Sequence, residues 1–138
     1  MSWLFYAVVS AVAAAATAIL AKVGVEGIPS SLATALRTCV VVVFAWMVTA
    51  QAGELRSFGA IPRRSLLFLA LSGIATGISW LAYFRALLLG PASRVAPIDK
   101  MSLPLTVLLA ALLLGEKVSW TVIAGVTLMT IGALITVL

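Results

Sequence analysis

Four ionisable residues stand where charge is expensive. Arg37, Arg85 and Lys100 each lie within or at the edge of a long apolar run, and Asp99 adjoins Lys100. Ionised groups in such runs pair with one another, face protein or water, or snorkel to the headgroups. Arg85 and Asp99 sit farthest from a wet loop and reach one membrane face from opposite directions. They are expected to neutralise each other or to touch a solute. Trp80 and Tyr83, about one turn apart, offer ring faces with N–H and O–H donors. A solute pathway lined by Trp80, Tyr83, Arg85, Asp99, Lys100 and Arg37 is the chemical reading of this set. Helix packing, an aromatic belt and snorkelling are the plainer uses of the same residues, and the last applies as well to Lys22 and Arg94.

Other chemistries lack their residues. There is no His, one Cys and four acids spread along the chain, so neither a metal site nor a cofactor is expected. No nucleophile–base pair or phosphate loop suggests an enzyme. No Asp or Glu falls near the centre of a span, and the first helix offers only Thr17. Exchange of protons for cations through a buried carboxylate, as in four-helix multidrug antiporters, is therefore disfavoured. Lone Cys39 reads as a small buried hydrophobe. A net charge of +5 would suggest nucleic acid in a soluble protein, but here the cations cluster at the ends of apolar runs, which is the pattern of membrane flanks. No nucleic-acid partner is expected.

The elements that hold these residues are helices in lipid. At 64% hydrophobic, 9% charged and a mean hydropathy of +1.25, the 138 residues have too little polar surface for water. The runs predict an all-α polytopic membrane protein, a single domain over residues 1–138 with helices at about 3–23, 32–52, 65–89, 95–114 and 118–138, each long enough to cross at about 1.5 Å per residue. The first lacks the basic n-region of a cleaved signal and exceeds its usual length. Between the second and third lies the one appreciable wet loop, with Glu54, Arg56, Pro62, Arg63 and Arg64. Pro97 is placed in the first turn of helix 4, where a missing N–H costs little, and Pro104 should kink it. Trp3 and Trp120, at helix beginnings, read as belt residues.

Five crossings put Arg56, Arg63, Arg64 and Lys117 on one face and Lys22, Arg37, Arg85, Arg94 and Lys100 on the other. Such balance gives the positive-inside rule little to act on, so the chain is expected to insert both ways and to form an antiparallel homodimer. At an offset of 63 residues Lys22 falls on Arg85, Gly27 on Gly90, Ser30 on Ser93, Ala33 on Ala96 and Arg37 on Lys100. Both hairpins obey one recipe, with a cation before the turn, a Gly at it and a cation in the next helix. Gly73 and Gly77, and Gly125 and Gly132, mark close-packing stripes on helices 3 and 5 for neighbouring helices or the dimer contact.

The stretch Trp80-Leu-Ala-Tyr83-Phe-Arg85-Ala-Leu with Gly90-Pro-Ala-Ser-Arg94-Val-Ala-Pro-Ile-Asp99-Lys100, and Leu114-Gly-Glu-Lys117 before the last helix, resembles the EamA-like branch of the drug/metabolite transporter superfamily. The likeness extends through Ala21-Lys22-Val-Gly24 and Leu32-Ala-Thr-Ala-Leu-Arg37. Most members of that family carry ten helices in two inverted halves, and this chain is similar to one half. The resemblance implies a ten-helix carrier of small organic metabolites assembled from two copies and working by alternating access, in a bacterial-type inner membrane. A non-transporting membrane subunit with a partner chain, or a lipid-intermediate flippase component, are the alternatives.

Overall fold

The computed structural model describes residues 2–138 and, among them, holds only helices and turns. Helix α1 is Ser2–Gly24, α2 Ser30–Gln51, α3 Arg63–Leu89, α4 Ala92–Asp99, α5 Ser102–Leu113 and α6 Trp120–Ile135, with a 3-10 segment at Glu54–Ala60. Four stretches are long and apolar enough to cross a membrane: α1, α2, α3 and the run Ala92–Leu113 that contains α4 and α5. The fifth predicted helix, 118–138, is a 16-residue helix, Trp120–Ile135, about 24 Å long at 1.5 Å per residue. It starts after Ser119, whose hydroxyl accepts the Val122 N–H and so caps it.

The fourth predicted helix is broken, and proline chemistry places the break. Pro104 has no N–H for the Lys100 carbonyl four residues back; that carbonyl accepts instead from Leu103 N–H at 2.9 Å, and Met101 N–H bonds the Ile98 carbonyl at 2.9 Å. The tightened turn separates α4 from α5. Pro97 is not in the first turn, because α4 begins at Ala92 behind an extended Pro91 and encloses Pro97. The loop expected at 53–64 is likewise more ordered: Gly53, at φ 71°, turns the chain so that Glu54–Ala60 coils as a 3-10 segment against α2.

The chain forms two compact units, one of residues 1–19 and 89–138, the other of residues 20–88. In the first, α6 packs on both α4 and α5, and Ala133 is buried. A groove of about 220 Å³ runs between Pro97, Lys100 and Met101 on one side and Met129, Gly132 and Ala133 on the other. In the second, Val25, Ala33, Thr34, Phe84 and Leu87 form a small core. It gathers the last residues of α1 and its turn, the first turns of α2 and the last turns of α3.

Almost every other large apolar side chain is exposed, Trp3 and Trp120 among them, which suits an outer surface solvated by lipid. Cys39, expected to be buried, is exposed on α2. Most threonine hydroxyls are internally satisfied. Thr34, Thr38, Thr49, Thr76, Thr106, Thr127 and Thr130 each donate to the carbonyl four residues back, at 2.7 to 3.0 Å, which is how a hydroxyl is carried into hydrocarbon without an unmet donor.

The two turns that match at an offset of 63 differ in backbone. Gly27 adopts φ 77°, while Gly90 is absent from the positive-φ glycines. The first hairpin spends residues 25–29 on its turn and the second only Gly90 and Pro91, so the charge pattern recurs without the turn geometry. At Gly27 a built Cβ meets nothing within 4 Å, leaving only the left-handed backbone to resist a side chain. Gly27→Ala is expected to cost about 1–2 kcal/mol, read as a lower unfolding midpoint in detergent.

Candidate functional site

The chemically informative cluster lies in the unit of residues 20–88. Trp80 and Phe84 are four apart on α3 and share a face. Opposite them α2 presents Ala33 and Thr34, both buried, and one turn on, Arg37. The Arg37 guanidinium lies over the Trp80 ring at 4.1 Å from its centroid and near the Phe84 ring at 5.5 Å. A cation held on an aromatic face gains about 0.5–2 kcal/mol, most where water is excluded. Tyr83 adds a tilted contact with Phe84, 6.3 Å between centroids.

Among the described residues Arg37 has no carboxylate partner. Among the described residues the one ion pair joins Lys100 to Asp99 at 3.2 Å, and no hydrogen bond to a protein acceptor engages the guanidinium. The rings hold the plane of the group while its N–H donors stay open in a fork that fits a carboxylate or phosphate edge-on.

At the same end of the unit Lys22 donates from Nζ to the Leu87 carbonyl at 2.6 Å. The N–H that would answer that carbonyl belongs to position 91, a proline. The lysine thus supplies a missing donor and places positive charge at the negative end of the α3 dipole. Lys22→Met is expected to destabilise the unit by about 1.5–3 kcal/mol, the worth of a hydrogen bond to a charged group. Thermal unfolding in detergent checks it, and a midpoint equal to that of the unaltered protein would show the contact to be idle.

Of the six pathway residues expected from sequence, the structure brings together Arg37, Trp80 and, through Phe84, Tyr83. Arg85 is exposed on α3. Asp99 and Lys100 sit at the α4–α5 break and engage each other. Arg85 and Asp99 belong to different units, and their expected coupling is a question for a double-mutant cycle. A Cβ built on Gly73, Gly77, Gly125 or Gly132 meets nothing within 4 Å. Phe84 is the member of this cluster that the sequence did not single out. Its spacing of four from Trp80 was the available signal, and an isolated Phe in an apolar helix reads as packing.

Four long apolar stretches and a shorter apolar helix are the build of a polytopic helical membrane protein. The chain belongs to the EamA-like transporter family, whose profile matches residues 1–138. It is similar to a protein of Sinorhizobium sp described as an uncharacterized transporter in the cobO 3′ region, with 49% identity over 134 residues, covering 97% of this chain and 95% of the relative. No solved structure matches.

Proposed function

We propose that this member of the transporter family is a secondary carrier for small organic metabolites that bear a carboxylate or phosphate, with Arg37 as the anchoring cation. The observation behind this is the guanidinium stacked on Trp80 and Phe84 with no acidic partner among the described residues. A structural arginine in lipid ordinarily acquires an acid or a carbonyl to offset its desolvation. One that is fixed in orientation and left without an anion is prepared to receive one.

The working unit in this reading is an inverted homodimer in a bacterial-type inner membrane, each copy a single five-helix domain. The near-balanced Lys and Arg count supports dual insertion. The unfilled space at Gly73, Gly77, Gly125 and Gly132 supports a second copy closing against α3 and α6. Alternating access then follows from rocking of two oppositely inserted copies about their contact.

Reconstitution into liposomes with a panel of radiolabelled carboxylates, phosphorylated metabolites and neutral analogues tests the proposal. Saturable counterflow of an anionic solute, absent for its neutral analogue, is the expected result. Equal flux of the neutral analogue would remove Arg37 from the mechanism, and no flux of any solute would favour the partner-dependent subunit.

A further inference from the structure

We propose that the groove between the end of α2 and the 3-10 segment binds the ammonium headgroup of a zwitterionic phospholipid. The groove, about 600 Å³, is lined by Trp46 and Thr49 from α2 and by Glu54, Ser57 and Phe58 from the segment that follows. Gly53 makes it: the left-handed turn at φ 71° folds the 3-10 segment back on α2 and brings the Trp46 and Phe58 rings to 6.1 Å between centroids, tilted by 47°.

The charge of this wall is unusual for its surroundings. Arg56, Arg63 and Arg64 are close in sequence, yet Glu54 pairs with none of them; the ion pair seen among the described residues is Lys100–Asp99. Arg64 instead lies 5.8 Å from the Phe68 ring centroid. Glu54 therefore keeps an open carboxylate beside two aromatic rings that are each about half exposed, Trp46 at 50% and Phe58 at 58%. Aromatic faces with a carboxylate are the surroundings that select an organic ammonium group, and the Ser57 hydroxyl can accept from an ammonium that carries protons.

Position selects the lipid over a free amine. The groove lies where a membrane-spanning helix meets a polar segment, at headgroup depth. Exposed Val42, four residues before Trp46 on α2 and so on the same face, continues from it as apolar surface for an acyl chain. Arg56, two residues after Glu54 in the same segment, offers positive charge to the phosphate that stands a few ångström from the ammonium in such a lipid.

Full-length protein in neutral detergent, titrated with short-chain phosphatidylethanolamine, with phosphatidylglycerol of the same acyl length and with free ethanolamine, tests the assignment by calorimetry. Phosphatidylethanolamine should bind about tenfold more tightly than phosphatidylglycerol, with Glu54→Gln and Trp46→Leu each removing most of that margin and Trp46→Phe retaining it. Because Glu54 is exposed, its substitution leaves the fold intact and reads the charge alone. Equal affinity for the two lipids overturns the proposal. So does ethanolamine binding as tightly as the lipid, which would make the groove a site for soluble amines, or an unchanged margin in Glu54→Gln.

Discussion

Arg37→Met is expected to weaken binding of the anionic solute by about two orders of magnitude, the usual penalty for removing one side of a desolvated, hydrogen-bonded charge pair. Arg37→Lys should cost about tenfold, since it keeps the charge but loses the flat fork and the stack on Trp80. Trp80→Leu should cost about as much as the lysine variant, because the guanidinium then loses the surface that orients it. Arg85→Met, at an exposed position on the same helix as Trp80, should change affinity by no more than about threefold. Equilibrium binding in detergent and counterflow in liposomes measure these effects on one solute. The reverse order, with Arg85→Met severe and Arg37→Met mild, would move the solute to the outward face of α3 and overturn the site described here.

Single cysteines placed in the 3-10 segment, on a Cys39→Ser background, should label from both sides of the membrane. Four Lys and Arg on one predicted face against five on the other leave the insertion machinery almost no bias to read. Two lysines added at the C-terminus, on the face expected to carry five, should drive that face inward and collapse the labelling to one side. The same change should abolish transport, because a homodimer of opposite orientations can no longer form. Labelling of the unaltered protein from one side alone would exclude the inverted dimer, and with it the need for an odd number of crossings. That number depends on α6, whose 16 residues are at the short end for a span, so a cysteine at Val137 reports on the fifth crossing in the same experiment.

The sequence revealed the helices far better than it revealed the site. Hydropathy and the Gly-Pro turns located α1 to α3 within a few residues, because in lipid each apolar run must satisfy its own backbone and has one way to do so. It also anticipated a disturbance at Pro104, but not that the tightened turn would fall at Lys100 and Met101, where the orphaned carbonyl lies. Order at 54–60 was illegible, since it depends on one glycine taking a left-handed backbone. At the site, Arg37 and Trp80 could each be named as chemically suggestive, yet nothing local says that residue 37 of one helix meets residue 80 of another. Arg85 drew more notice for being deep in its run; depth along a helix is legible in sequence, and the direction around its axis is poorly so when every face is apolar.

The threonines give the helix surfaces an uneven hydrogen-bonding character. Each of the seven that bond back along its helix has committed its single proton to a carbonyl, while its oxygen keeps lone-pair capacity. Where such a helix faces a permeating solute, its hydroxyls can receive a proton from an alcohol or amine but have none to give to an anion. In the proposed pathway the burden of meeting a solute's acceptor oxygens then falls on the guanidinium of Arg37, with the Trp80 N–H as the donor nearest to it in kind. A solute rich in hydroxyls with one anionic end would be matched by this division, its donors spread along the threonines and its charge held at a single point.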